Sequence, residues 1–232
     1  KMVVKNYLEG KKLSKVEGRE KEAMDLLTTA IEGYDKHSQA YERRGYLNYI
    51  LQNYHDAERD FTKAIQWDDS NAAAYLGRGR LKMKRQDYNN ALKDLEMGIK
   101  FSLALQDIHW HARRLKADCL MHLEDYKKAE FELRFFNKRE FDRSSRNRRH
   151  LKASLYKHAM ALRKLGDEKG ALESLTNALK VIEEDQKYVT DGDIYVELAL
   201  VKRSLGKNGY LADLKKAVSL GNTRAQGLLE NA

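Results

Sequence analysis

The stretch that decides the fold is residues 41–64, YERRGYLNYILQNYHDAERDFTKA, because its pattern returns 34 residues later as residues 75–98, YLGRGRLKMKRQDYNNALKDLEMG. An aromatic residue, a glycine, a tyrosine, an alanine, a large apolar residue and a small residue recur in register. These are Tyr41, Gly45, Tyr54, Ala57, Phe61 and Ala64, then Tyr75, Gly79, Tyr88, Ala91, Leu95 and Gly98. Tyr7, Ala23, Leu27 and Ala30 continue the series toward the N-terminus. A period of this length predicts repeated pairs of helices joined by turns.

The order of these residues resembles the tetratricopeptide repeat (TPR) family. The resemblance implies an all-α, right-handed superhelical solenoid of antiparallel helix pairs, forming a single domain over residues 1–232. Residues 222–231 are expected to form a capping helix that covers the open end, as terminal repeats require, and residues 213–222 resemble the closing repeat of bacterial TPR proteins. The repeats are placed at 4–37, 38–71, 72–105, 110–143, 152–185 and 192–224.

One small residue in each repeat occupies the place where the paired helices should cross closely. A larger side chain there is expected to push the two helices apart. The second helix of a TPR usually ends at a proline, but this chain contains none, so Asp68-Asp69-Ser70-Asn71 is expected to cap the next helix instead. The small residues are Gly45, Gly79, Ala117, Ala159 and Ala199.

Composition favours a folded protein without catalytic chemistry. The hydrophobic fraction of 42% is sufficient for a continuous core, and the single cysteine, Cys119, excludes an internal disulfide and is predicted to be a core residue. No phosphate loop, catalytic triad or dinucleotide fingerprint is recognisable, so we expect neither an enzyme nor a cofactor. The chain begins with Lys1 and not with an initiator Met, so the sequence leaves open both whether it is a piece of a longer protein and whether its compartment is cytoplasmic or extracytoplasmic.

In TPR proteins the first helix of each pair lines a concave groove. By resemblance, this groove is lined here by cations alternating with tyrosine and methionine, and by few carboxylates. Such a surface suits an extended or helical partner peptide with acidic groups, and the predicted function is a non-catalytic scaffold or adaptor; a solvated face without a partner is the alternative. The predicted groove residues are Arg43, Tyr46, Tyr49, Arg80, Met83, Lys84, Arg114, His122, Tyr156, Lys157, Met160, Arg163 and Lys164. Tyr46 and Arg80 stand where a chaperone-tail clamp would have asparagines, which argues against that type of receptor.

The most positively charged stretch is residues 138–152, which contain seven Lys and Arg residues and two acidic residues. The net charge of this segment is +5, out of +9 for the whole chain. The insertion at 144–151 is expected to be an exposed joint at which an acidic partner docks. A basic segment of this kind also meets phosphates, so nucleic-acid binding through 138–152 is the alternative function. Phe135, Phe136 and Phe141 lie nearby and are expected to be mostly core. The predicted basic-loop residues are Arg143, Arg146, Arg148 and Arg149.

A zinc site is a further alternative. His111, Asp118 and His122 are seven and four residues apart and therefore share one stripe of a helix, with His109 just upstream. Nitrogen and carboxylate ligands suit zinc, but no HExxH motif or cysteine pair accompanies them. The sequence therefore favours a polar wall, and we predict no metal.

Overall fold

The computed structural model describes residues 1–142, 145–182 and 188–231. Over these residues the secondary structure is thirteen α-helices and one 3-10 turn, Arg148–His150, with no strand. The predicted all-α helical-repeat solenoid is confirmed. No helix in the described parts of the chain is both long and apolar enough to cross a membrane. The helices are α1 (Met2–Leu13), α2 (Glu20–Gly33), α3 (Ser38–Ile50), α4 (Tyr54–Trp67), α5 (Ala72–Lys84), α6 (Tyr88–Lys100), α7 (Asp107–His122), α8 (Tyr126–Lys138), α9 (Leu151–Lys164), α10 (Glu168–Lys180), α11 (Asp191–Ser204), α12 (Tyr210–Ser219) and α13 (Thr223–Glu230).

The chain forms two compact units, Lys1–Cys119 and Leu120–Ala232. In the first unit, α1 packs with α2, α3 with α4, and α5 with α6, while the first helices of successive pairs also contact each other, α1 with α3 and α3 with α5. In the second unit, α9 packs with α8 and α10, α11 packs with α10 and α12, and α13 packs with α12. The organisation as a single domain stays a prediction.

The repeated positions that predicted the helix pairs form the cores of the two units. In α4, Ala57, Phe61 and Ala64 are buried, because spacings of three and four residues place them on one face of the helix. The same relation holds in four other second helices, α2, α6, α8 and α10. The corresponding buried residues are Ala23, Leu27 and Ala30; Ala91, Leu95 and Gly98; Ala129, Leu133 and Phe136; and Ala171, Leu175 and Ala178.

The predicted cap and the predicted end helix are both confirmed. The side chain of Asn71 accepts a hydrogen bond from the backbone N–H of Ala74 at 3.0 Å, which satisfies a donor at the start of α5. At the other end of the chain, α13 buries Ala225 completely, and Leu228 and Leu229 pack against the same cluster. Apolar residues of α13 therefore cover the last helix pair.

The helices cross closely at two of the predicted small residues, Gly45 and Gly79, and also at a glycine that the repeat pattern did not mark. A Cβ atom added to Gly45 would lie 3.1 Å from the ring of Phe61, and one added to Gly79 would lie 3.2 Å from Leu95. At Gly77, however, the added Cβ would lie only 2.3 Å from the Phe61 ring. Gly77 is therefore the tightest crossing of the three.

Candidate functional site

Two arginines on the first helices are tied down by buried aspartates of the second helices. Arg44 donates two hydrogen bonds to Asp60, at 2.9 and 2.8 Å, and Arg78 donates two to Asp94 at the same distances. Asn48 also donates to Asp60, at 3.1 Å. These cations stabilise the helix pairs and are not available to a ligand. The sequence contains a signal for both pairs, an arginine and an aspartate 16 residues apart that recur one repeat later, but the pattern of apolar and small residues does not reveal it.

Three of the predicted groove cations also face carboxylates of this chain. The Arg43 Nε atom lies 3.3 Å from Glu42, and Arg114 Nη1 lies 3.4 Å from Asp118. Glu42 is buried, and burial raises the pKa of its carboxyl group, although the neighbouring Arg43 acts in the opposite direction. These two carboxylates reduce the positive charge that Arg43 and Arg114 can offer to a ligand.

In the second unit, Arg163 is engaged in the same way. It donates a hydrogen bond to Glu197, which is 3% exposed, and its Nε atom lies 3.5 Å from Glu168. Arg224, on α13, donates to the other oxygen of Glu197 at 2.6 Å. Glu197 thus joins two helices through two arginines, and Arg163 contributes to packing more than to an open binding surface.

Arg80 and Lys84, by contrast, are held over aromatic rings. The guanidinium carbon of Arg80 lies 4.5 Å from the centroid of the Tyr49 ring, and Lys84 Nζ lies 5.0 Å from the centroid of Tyr54. The two rings meet edge to face at 5.9 Å. A hydrogen bond with Tyr54 raises the pKa of Lys84. We call Tyr49, Tyr54, Arg80 and Lys84 the tyrosine–cation cluster.

The tyrosine–cation cluster differs from the arginine sites described above in its lack of a carboxylate. Within the described part of the chain, neither Arg80 nor Lys84 forms an ion pair. Lys84 is exposed and Arg80 is half-buried. Tyr49, Arg80 and Lys84 were predicted from the sequence as groove residues. Tyr54 was not, because it begins the second helix and lies outside the helix that is expected to line the groove.

The remaining predicted groove residues mostly contribute to the cores. Tyr46 packs against the cluster that contains Phe61, and Met83 packs against the next core. Tyr156 and Met160 pack against the core of the second unit, and burial, with a smaller contribution from Glu197, raises the pKa of Tyr156 to about 12. These four side chains therefore pack mainly against the cores of the two units.

The other basic residues at the ends of the first helices differ in exposure. Lys164 Nζ lies 5.8 Å from the centroid of the Tyr126 ring, an arrangement similar to that of Lys84 and Tyr54. His122 is exposed and Lys157 is half-buried. Lys164 and Tyr126 are therefore a second, smaller cation–aromatic contact, which lies within the second unit.

The basic segment 138–152 is only partly exposed. Arg146, Arg148 and Arg149 are exposed, whereas Lys152 is 2% exposed and its Nζ atom lies 2.9 Å from Asp191. Asn147 is also buried. The expectation of an exposed insertion is therefore wrong at Asn147, which is packed. Lys152, at the end of the basic segment, is held in a buried ion pair. Arg143 lies outside the described residues.

The zinc alternative finds no support in the part of the chain that the structure describes. Within that part, no group of three His, Cys, Asp or Glu side chains is arranged to hold a metal ion. His109 is buried, with its Nδ1 atom 3.1 Å from the hydroxyl of Ser102, and its Nε2 atom accepts a hydrogen bond from Arg113 at 3.0 Å. Both ring nitrogens of His109 therefore contact neighbouring side chains of the fold.

Cys119 is a fully buried core residue, as predicted. Burial, and to a lesser extent the charge of Asp118, raises the pKa of its thiol to about 12. Since the thiolate is the reactive form, we expect no alkylation of the native protein by iodoacetamide at about pH 8, and complete alkylation in denaturant. Mass spectrometry of the intact chain measures both. Rapid modification of the native protein would show that the helix opens or that the thiol is accessible.

The family model described as Tetratricopeptide repeat matches residues 38–71, the bounds of the second predicted repeat. No curated protein sequence matches the chain. Among solved structures, the fold is similar to that of YrrB, described as "a TPR protein with an unusual peptide-binding site", with a TM-score of 0.72, 18% identity, and coverage of 89% of this chain and 98% of YrrB. PilF from Pseudomonas aeruginosa gives a TM-score of 0.73 at 13% identity, over 100% of this chain and 98% of PilF. MamA gives 0.64 at 15% identity, over 82% and 94%. At these identities the likenesses show the fold.

Proposed function

We propose that this chain, which is a tetratricopeptide repeat protein, is a non-catalytic scaffold that binds a protein or peptide partner along the first helices of its repeats. The solved structure of YrrB is described as having a peptide-binding site, and repeat proteins of this kind present extended surfaces for binding. The tyrosine–cation cluster of the first unit is the observation that supports a specific kind of partner. The proposed partner is a peptide segment with acidic groups.

The chemistry of the tyrosine–cation cluster supports an acidic ligand. Arg80 and Lys84 carry positive charge that no carboxylate in the described part of the chain neutralises. The rings of Tyr49 and Tyr54 hold both cations through cation–π contacts, so these side chains lose less conformational freedom when a ligand binds. The planar Arg80 guanidinium can pair with a carboxylate through two parallel hydrogen bonds.

The neighbouring arginines, Arg44 and Arg78, are less suitable than Arg80 and Lys84 for binding an acidic ligand. Arg44 and Arg78 lie on the same two helices, but each already has a buried aspartate. A ligand carboxylate would have to displace that aspartate, which would remain buried without its partner at a large cost. The available positive charge on α3 and α5 is therefore concentrated at Arg80 and Lys84, at the end of the first helix of the third predicted repeat.

Binding of acidic peptides is expected to depend on both cations. Random twelve-residue peptides displayed on phage would be selected against the purified full chain, and the selected sequences measured by fluorescence polarisation. We expect enrichment of Asp and Glu. The Arg80→Gln/Lys84→Gln variant should lose at least about 100-fold in affinity, because it removes two charge-assisted hydrogen bonds that each contribute about 1.5–3 kcal/mol.

Two further variants act as matched controls. Arg59→Gln/Lys63→Gln removes two exposed charges from α4 without touching the tyrosine–cation cluster, and its affinity should equal that of the wild type. Tyr49→Leu removes the ring beneath Arg80 and should weaken binding less than loss of the cation itself. Selected peptides without acidic residues, or peptides that bind the Arg80→Gln/Lys84→Gln variant as tightly as the wild type, would contradict the proposed site.

Nucleic-acid binding through residues 138–152 remains a second hypothesis. Exposed Arg146, Arg148 and Arg149 favour it, but the buried Lys152 cannot contribute to it. The distinguishing observation is the salt dependence. Phosphate contacts weaken steeply with added salt, and they would not depend on Arg80 and Lys84.

A further inference from the structure

The first unit contains a pocket of about 380 Å³, which we call the α3-start pocket. It is lined by residues at the start of α1, in the turn between α2 and α3, at the start of α3 and at the end of α4. Its volume lies near the lower end of the range for small-molecule sites, so the pocket can hold one compact ligand. None of the four residues of the tyrosine–cation cluster lines it.

Four of the residues that line the α3-start pocket are apolar or aromatic. They are Val3 and Val4 of α1, Tyr34 directly after α2, and Trp67, the last residue of α4. Val4 and Tyr34 are exposed, so a ligand in the pocket would cover apolar surface that water otherwise contacts. Such a lining favours an apolar or aromatic group.

Lys36 gives the α3-start pocket a positive charge. Its Nζ atom lies 5.5 Å from the centroid of the Trp67 ring, and it forms no ion pair within the described part of the chain. Asp68, the acidic residue of the lining, is engaged in its own turn, where its Oδ1 atom accepts hydrogen bonds from the backbone N–H and the hydroxyl of Ser70, at 3.1 and 2.6 Å. The charge of Lys36 is therefore available to an anionic group in the pocket.

The turn that carries His37 adds to the preference for an anion. Burial lowers the pKa of His37, so its imidazole is uncharged at neutral pH, and its ring centroid lies 4.5 Å from that of Tyr7. His37 precedes α3 without giving the helix a side-chain cap. Ser38 and Gln39, in the first turn of α3, also line the pocket, and the start of a helix carries partial positive charge.

The next repeat shows that the fold does not require a cation at this place. Ser70 and Asn71 stand 34 residues after Lys36 and His37. The Ser70 hydroxyl donates to Asp68, and the Asn71 side chain caps α5. Both side chains there are used within the chain, so the packing of the repeats does not explain why a lysine stands over an aromatic ring at the α3-start pocket.

We propose that the α3-start pocket binds a carboxylic acid with an aromatic or branched apolar body, its carboxylate at Lys36 and its body against Tyr34 and Trp67. A single ammonium group matches the single charge of a carboxylate. Two sources offer this chemistry, a free small acid and the C-terminal residue of a peptide with an apolar side chain. The residues involved are separate from the tyrosine–cation cluster, so the inference stands independently of the proposed function.

Titration of the full, ¹⁵N-labelled chain with N-acetylphenylalanine tests this proposal. The chain contains two tryptophans, Trp67 and Trp110, so its NMR spectrum has two indole N–H signals, and Trp67→Phe identifies the one from the pocket. We expect the Trp67 signal to shift with a dissociation constant of about 1 mM or lower. The Trp110 signal, from α7, should stay in place because Trp110 does not line the pocket.

Removal of either charge should weaken binding at least about tenfold, because a charge-assisted hydrogen bond is lost. N-acetylphenylalanine amide lacks the carboxylate, and Lys36→Gln lacks the cation. Lys21→Gln removes an exposed charge from α2 and should bind as the wild type does, as should Arg80→Gln/Lys84→Gln. A Trp110 signal at its wild-type position in each variant shows that the fold is intact.

Two further measurements define the body of the ligand and its source. Tyr34→Ser removes an aromatic wall and should weaken binding about fivefold. The peptide acetyl-Gly-Ser-Gly-Phe separates the two sources: binding at least as tight as that of N-acetylphenylalanine supports a peptide C-terminus, and loss of binding supports a free acid. A Trp67 signal that does not shift, equal binding of the amide, or wild-type binding by Lys36→Gln would overturn the proposal.

Discussion

Asp60→Ala is expected to lower the free energy of unfolding by about 3–5 kcal/mol. The Asp60 side chain is almost completely buried and accepts hydrogen bonds from both Arg44 and Asn48. Burial alone would lower the pKa of Arg44, but the hydrogen bonds and charge of Asp60 outweigh burial and raise it. Loss of the carboxylate would leave a partly buried cation without its partner. Urea unfolding followed by circular dichroism measures the loss.

Two controls show whether the unpaired charge is the cause. Asp56→Ala breaks an exposed pair with Arg59 on the same helix, at 3.0 Å, and should cost only about 0–1 kcal/mol. Arg44→Met/Asp60→Leu removes both charges and should recover most of the stability lost in Asp60→Ala, because apolar residues of similar volume often replace a buried pair without loss. A double variant as unstable as Asp60→Ala would show that packing, and not charge, dominates at this site.

Gly77→Leu is expected to lower the free energy of unfolding by about 3 kcal/mol, the upper part of the range for overpacked cores. Even a single Cβ atom at this position would lie 2.3 Å from the Phe61 ring. Phe61 is 1% exposed, so its ring cannot swing into solvent to make room. Helices α4 and α5, which carry Phe61 and Gly77, must therefore separate, and their separation exposes apolar surface.

The next repeat shows how the same site can hold a leucine. There the places of Phe61 and Gly77 are taken by Leu95 and Leu115, which belong to one core cluster. One large ring facing a glycine is thus replaced by two side chains of intermediate size. Phe61→Leu/Gly77→Leu should therefore be more stable than the sum of its single variants predicts, by about 2 kcal/mol. If the losses in free energy of unfolding measured in urea were strictly additive, the side chains at positions 61 and 77 would not compete for the same space.

The helix pairs could be predicted from the sequence because they depend on periodicity. Spacings of three and four residues place Ala57, Phe61 and Ala64 on one face whatever the rest of the chain does, and the structure buries all three. The same local reasoning placed Asn71 as a helix cap and Cys119 in the core. Each of these properties is determined within one helix or one turn.

The sequence by itself therefore determined the two-helix repeat and its core positions, because both follow from helical geometry along neighbouring residues. Only the tertiary structure decided which cations are available. Arg44 is tied to Asp60, 16 residues away, and Lys152 to Asp191, 39 residues away, whereas Arg80 rests on a tyrosine ring. Helical spacing gives the direction of a side chain but not the group that another helix places opposite it, and that opposing group sets whether a charge is buried and paired or open to a ligand.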